Sequence, residues 1–522
     1  MGEYFIGVDA GTESVRVGIF DPKGKQIDFA SCEYKTYFPR PGWAEQDPKE
    51  WWEALKTAFR KVMQKSGVSK EEIKGIGIDA TCCTVVFLDE KGEPLRRALL
   101  WMDVRAADEA RFIASTHDDA LKYNGWGSVS AEWMPCKALW VKRNQPEIYE
   151  KSKTIFSYTD WIMYKLTGRI TASINNASIR WYYDNRRGGW PVSFYKRIGL
   201  GDIIEKFPKD VLPLGEQMGV LSKEVAEDLG LMPGIPVGEG GIDAFVAMIG
   251  VNVVRPGRLA FITGSSHLHL GLSEKEFHAP GIFGTYPDSV IPGYHTVEGG
   301  QISTGSIVRW FKNNLAGREE IIAKERGVSV YDVLNEGASK IPPGSEGLIL
   351  IDYFQGNRTP LVDPEVRGMF WGLTLSHTSY HLFRAIMEGV AYGTEHIFRT
   401  FKMAGYEPKE IYACGGATKS KLWMQIHSDV SNVPIYLTEE PEAATLGSAI
   451  IGAVGGGYYK DITEAAENMV HVKSVIEPNK ENNEKYQFYI DKYIRTYQQM
   501  KDLMHEMVRH LNKEAQNDGG DK

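Results

Sequence analysis

A glycine beside a hydroxyl in a tight turn can hold phosphate, and this chain contains that combination twice. Tyr4 to Phe20 reads as an apolar strand, a turn containing Gly11 and Thr12, and a second strand. Leu259 to Gly271 repeats the design around Thr263, Gly264 and Ser265, about 250 residues later. Glycine lets the backbone approach a ligand closely, and such turns aim N–H groups and hydroxyls at an anion. The first turn also carries Asp9. Either hairpin alone is a weak signal, because Gly-Thr and Gly-Ser turns join hairpins of every kind. The repeat is what matters: two such turns facing each other across a cleft would hold a nucleoside triphosphate.

The elements that position the turns follow from periodicity. Residues 4–9, 15–20 and 27–35 form a three-strand meander. A helix starts at Asp47 and Pro48 (cap and first helical residue) and carries Trp51, Leu55, Phe59 and Val62 at helical spacing. Lys74 to Asp79 returns to strand, giving the order β-β-β-α-β. The pattern from 100 to 235 reads as helical. The second half reopens with the hairpin at 259–272, then a helix over 380–402, a strand over 410–414 and a helix bearing Leu422, Ile426 and Val430. The tail is helical from 483, with a disordered polar end at 517–522. The fold class is α/β without either common nucleotide fingerprint, since no Gly-x-Gly-x-x-Gly follows the first strand and no Gly-x4-Gly-Lys-Ser/Thr occurs.

Composition narrows the functional classes. At 522 residues the chain suits two domains. A net charge of −8 argues against nucleic-acid or anionic-membrane partners. The apolar run 244–254 is too short to span a bilayer. Five cysteines with no Cys-x-x-Cys pair fit a reducing compartment, so the expected location is the cytoplasm. No Gly-x-Ser-x-Gly elbow supports a hydrolase.

Six motifs occur in order: Asp9-Ala-Gly-Thr12, the run 42–48, Trp101-Met-Asp-Val-Arg105, Gly241-Ile-Asp243-Ala, Glu298-Gly-Gly-Gln301, and Gly415-Gly-Ala followed by Glu442 to Gly447. Together they resemble the FGGY family of carbohydrate kinases over nearly the whole chain. The resemblance implies two ribonuclease-H-like domains of the actin/hexokinase type, with ATP, Mg²⁺ and a sugar meeting in an interdomain cleft. The expected division is 1–250 for sugar and the first phosphate hairpin, 251–482 for nucleotide, and 483–522 for the terminal helix and tail. Family members are often homodimers.

Carried onto this chain, the resemblance implies that Asp243 is the general base, since phosphoryl transfer needs mainly positioning and one well-placed carboxylate. It implies Mg²⁺ at Asp9, because hard cations take carboxylate oxygens. Gly11, Thr12, Thr263, Gly264 and Ser265 would face the phosphates, as would Gly305 and Arg309. Gly416 and Ser420 match the adenosine pocket.

Substrate choice is expected just after Asp79. The Arg-Glu clamp of glycerol kinases is replaced by Cys82 and Cys83, and the Gly-Gln-Met-His of xylulose kinases is absent. Thr81, Cys82 and Cys83 are instead similar to the ribulose-type pentulose kinases, as is Glu298, a substrate contact in that group. Small cysteines leave room for a five-carbon ketose, although they could equally be core packing. Trp101, Asp103 and Arg105 are expected to line the pocket. One departure stands: residues 171–178 lack the lysine that L-ribulose kinases use. Phosphorylation of a ketopentose such as ribulose is therefore expected. Another ketose or polyol (xylulose, erythritol, erythrulose, ribitol or glycerol) and a non-catalytic ATP-binding switch are the alternatives.

Overall fold

Strand order explains why the hairpin recurs. The computed structural model describes residues 2–518 and contains two seven-stranded sheets that repeat one topology. In the first, Tyr4–Ala10, Ser14–Phe20 and Gln26–Glu33 form the antiparallel meander. Ile73–Ala80 then pairs parallel with Tyr4–Ala10, Pro236–Gly238 pairs parallel with Ile73–Ala80, and Gln217–Val220 closes the edge antiparallel. In the second, Arg258–Thr263, His267–Ser273 and His295–Gln301 form the meander. Glu410–Gly415 and Ile435–Thr438 extend it in parallel, and Val472–Ile476 closes it antiparallel. These are the two ribonuclease-H-like α/β domains that the sequence implied. The inner strands are buried along nearly their whole length, which is why they read as continuous apolar runs.

Local signals acted as their chemistry requires. Asp47 caps the helix Pro48–Ser66 by accepting from Lys49 N at 2.9 Å, and Gly67 ends it at φ 67. The helix Ala443–Gly455 crosses from the second half to lie on the first sheet. A β-carbon at Gly7 or Gly77 would fall inside contact distance of the Thr445 or Ser448 carbonyl oxygen. The run from Glu442 to Gly447 is thus a close-packing surface. This helix also packs on the helix Asp243–Gly250, and their apolar faces share one core with Leu270 and Tyr412 of the second sheet.

Two expectations need correction. The region 100–235 is not purely helical: Thr154–Ser157, Thr171–Ser173, Asp210–Leu212 and Gln217–Val220 are strands. Strands of three or four residues are too short for an alternating pattern to register against flanking helices. The terminal helix runs from Lys480 to Asp518, so Asn517 and Asp518 belong to it; the rest of the polar end lies outside the described residues.

Candidate active site

Three carboxylates converge where the strands of the first sheet end. Asp9 lies opposite Asp79 across a parallel pair, and Gly241 lies opposite Asp79 on its other side, which brings Asp243 to the same edge two residues later. Asp243 is the first residue of its helix rather than the cap, which is Ile242. Its Oδ1 accepts from Ala244 N at 2.7 Å, and among the described residues no other hydrogen bond engages the carboxylate. Burial first, and the charge of Asp9 second, push it up to about 7.

Asp9 is held by Arg16 at 3.3 Å, and Arg16 also reaches Glu442 at 3.6 Å. Asp79, missed by motif reasoning, is fully buried. Its Oδ2 accepts from Ser448 Oγ at 2.7 Å, while among the described residues its Oδ1 has no hydrogen-bond partner. Burial and the facing Asp9 hold its carboxyl well above the ordinary range, and burial raises Asp9 as well. Two adjacent buried acids with an orphaned oxygen suit a hard divalent cation. Among the described residues no group of three or more His, Cys, Asp or Glu side chains could hold an ion alone, so a cation here would need ligand oxygens too.

The sugar-side expectations divide. Cys82 and Cys83 lie partly exposed in the turn after Ala80, with sulfurs 3.3 Å apart; Thr81 is buried and pairs with Thr84 at 3.1 Å. Glu298 is nearly fully buried, and both its oxygens are engaged. Arg180 donates to them at 2.8 Å each, Arg358 donates to Oε1 at 2.7 Å, and Tyr286 donates to Oε2 at 3.0 Å. A carboxylate has about four acceptor sites. Glu298 is therefore an anchor for arginines rather than a free substrate contact. Burial opposes its ionisation, yet Arg180 and Arg358 hold it below the usual range. Arg180 supplies the buried cation found missing in 171–178. It sits just past that segment at φ 71, and its charge reaches both cysteines.

Asp103 is engaged within the protein, and Arg105 is engaged through Nε and Nη2 while its buried Nη1 has no hydrogen-bond partner among the described residues. Arg105, with no exposed side-chain surface, bonds Asp103 and Glu45, and Asp103 also accepts from Ala44 N at 2.7 Å. This ion pair fixes the loop that carries Trp101. The Trp101 indole N–H donates to Thr12 Oγ1 at 3.0 Å, bracing the turn at Gly11 and Thr12 while the ring stays part exposed. Gln46, from the run 42–48, donates to the Thr12 carbonyl at 2.6 Å and accepts from Trp51 at 2.8 Å. Asn175 is a positioning residue: it accepts from Ile242 N and donates to the Ser289 carbonyl, each at 2.8 Å, immediately before Asp243.

On the second sheet the hairpin turn residues Gly264 and Ser265 are exposed. Gly305 packs so closely on the Gly264 carbonyl that no side chain fits there. Arg309 is exposed on the helix Gly305–Leu315. Gly416 borders open space, room that a flat base could occupy. Two hydroxyls serve the protein instead of a ligand. Thr263 Oγ1 donates to the Cys414 carbonyl at 2.7 Å and accepts from Ala417 N at 3.1 Å, and Ser420 caps the helix Lys421–Ser431 while donating to Asn335 at 2.7 Å. Hydroxyl capping is local chemistry that a motif match does not separate from ligand contact.

The models for the N-terminal and C-terminal domains of the FGGY family of carbohydrate kinases match residues 4–250 and 259–456, and the chain belongs to that family. A ribulokinase of Geobacillus thermodenitrificans is 34% identical, covering 95% of this chain and 94% of the relative. An FGGY carbohydrate kinase domain-containing protein of Xenopus laevis is 36% identical, with coverages of 94% and 95%. The solved structure of a xylulose kinase from Rhodospirillum rubrum is similar with a TM-score of 0.84 and 26% identity, covering 96% of this chain and 100% of that one. Among the described residues no helix is long and apolar enough to cross a membrane.

Proposed function

We propose that this kinase transfers the γ-phosphate of ATP to a terminal hydroxyl of a ketopentose such as ribulose, with Asp243 as general base. The observation that carries the reading is the state of Asp243. Its carboxylate is bonded to a single backbone N–H, and its affinity for a proton is raised to about 7. A base poised near neutral pH can both accept a hydroxyl proton and release it. Cys82 and Cys83 leave space beside it for a longer chain than glycerol, and Arg180 and Arg358, anchored by Glu298, offer donors to sugar hydroxyls. The likeness to a ribulokinase supports a ketopentose.

Gly11, Thr12, Gly264, Ser265, Gly305 and Arg309 are assigned to the phosphates, and Gly416 to the adenosine. Asp9 and Asp79 would hold Mg²⁺, which supplies charge neutralisation on the transferring phosphate. Release of ADP, measured against D- and L-ribulose, D- and L-xylulose, ribitol, erythritol, L-erythrulose and glycerol, tests the reading. Turnover of one ketopentose at kcat/KM of ~10⁴ M⁻¹s⁻¹ or more supports it. A preference for a polyol over every ketopentose overturns the substrate class.

A further inference from the structure

The turn after Ala80 contains a feature that sugar binding does not require. Cys82 and Cys83 are adjacent, partly exposed, and oriented so that their sulfurs lie 3.3 Å apart. Cys83 adopts φ 59, a left-handed conformation uncommon for a side-chain-bearing residue. Lys137, fully buried, donates to the Cys83 carbonyl at 2.7 Å and to the Leu100 carbonyl at 2.5 Å, and forms no ion pair among the described residues. Its charge and that of Arg180 therefore act on the two sulfurs, with Glu132 facing Cys83 and Asp243 facing Cys82 from the anionic side.

The contact splits the two thiols. The hydrogen bond from Cys82 lowers the Cys83 thiol, with Arg180 and Lys137 helping against burial, and the same hydrogen bond raises Cys82. Two sulfurs in contact, one thiol more acidic than the other, are the arrangement of an oxidisable cysteine with its resolving partner. Cys136 and Cys414 differ, being buried with thiols pushed up by that burial.

We propose that Cys82 and Cys83 are an oxidation site, at which a peroxide reversibly converts the pair into a vicinal disulfide and blocks the sugar end of the cleft. The Cys83 thiolate attacks one peroxide oxygen, the O–O bond breaks, and the departing hydroxide takes a proton to become water. Cys82 sulfur then attacks the sulfenic sulfur, the S–O bond breaks, and water leaves with the Cys82 proton. Two thiols lose two electrons in all, and the peroxide is reduced to two waters. Adjacent Cα atoms stand about 3.8 Å apart, below the roughly 4.4–6.8 Å that a disulfide ordinarily spans. The bond is therefore strained and easily reduced.

The oxidation chemistry stands on the sulfurs alone; its effect on activity rests on sugar binding beside this turn. The test treats the full-length enzyme with hydrogen peroxide, blocks free thiols and measures the peptide containing both cysteines, with Cys32, likewise partly exposed, as the control. The expected peptide is two hydrogens lighter, its yield tracks the loss of turnover, dithiothreitol restores both, and saturating ketopentose slows both. Each variant is compared with its own untreated rate. Cys82→Ser is expected to stop at a Cys83 sulfenic acid, one oxygen heavier and still reversed by dithiothreitol, with no two-hydrogen loss, and Cys83→Ser to resist oxidation. Loss of activity while both cysteines stay alkylatable, or oxidation of Cys83→Ser at the native rate, overturns the proposal. A disulfide that forms without loss of turnover overturns the block and moves the sugar elsewhere. Ketopentose turnover with no disulfide leaves the kinase reading standing and removes this one.

Discussion

The two sheets share a topology and end in opposite chemistry. At the last two paired positions the first sheet places Asp9 opposite Asp79 and Ala10 opposite Ala80. The second places Ile262 opposite Cys414 and Thr263 opposite Gly415. One end is two buried carboxylates whose mutual repulsion weakens the fold. The other is a hydroxyl that ties a carbonyl to an N–H, a neutral latch that strengthens it. Under the proposed function, the first sheet joins proton and cation chemistry to one phosphate turn, while the second offers phosphate only neutral backbone and hydroxyl donors.

The sharpest way to break this division is at the base. Asp243→Asn should lower kcat by about 10²–10⁴-fold, the span of general acid–base catalysis, with ATP affinity nearly unchanged. Single-turnover kinetics with nucleotide titration checks it. A variant retaining near-native kcat would remove proton transfer from the first sheet. Asp79→Asn should separate stability from activity. The amide can still accept from Ser448, and the repulsion with Asp9 disappears, so Tm should rise. Turnover should fall by roughly tenfold, with a higher Mg²⁺ requirement, the usual trade between stability and function. A lower Tm would mean the pair stabilises the fold as it stands. On the neutral side, Thr263→Val leaves a buried carbonyl and N–H unpaired, a loss of about 1–3 kcal/mol. The nucleotide KM should rise a few-fold and the sugar KM should not move. A change confined to the sugar KM would contradict the division of labour.

Much of this was legible in the residues. Both hairpins, the first meander and the capped helix at Asp47 follow from alternation and turn chemistry, because each signal is local; the third strand of the second meander, His295–Gln301, did not register. Asp79 did not stand out, since a carboxylate ending an apolar strand becomes informative only when parallel pairing sets it against Asp9. Arg180 escaped for a similar reason: its partner Glu298 lies 118 residues away. Asp103, Thr263 and Ser420 were placed in the site by motif, and the structure engages their side-chain oxygens within the protein. A motif marks a neighbourhood; only geometry separates the group that meets a ligand from the group that holds it in place.

The smallest expected effect is a response to pH of opposite sign in the two sheets. In the first, Asp243 is raised to about 7 and Asp79 well above 3.8, so the fold keeps protons that the unfolded chain releases between those values. That contribution to stability is present at low pH and is lost as pH rises toward 7. In the second, His267, His269 and His427 are buried against Phe261 and Trp423, with His269 lowered to about 4, His427 to about 3 and His267 well below 6.5. The unfolded chain binds protons that this core refuses, so stability is present above pH 6.5 and is lost as pH falls below it. Hydrogen exchange at pH 7.5 and 5.5, corrected for intrinsic rate, should show 258–273 losing protection on acidification relative to 4–20. His427→Phe should narrow the gap by removing one buried titrating ring of similar shape. Parallel shifts in both sheets would mean that the shared core, rather than the chemistry at each strand end, sets local stability.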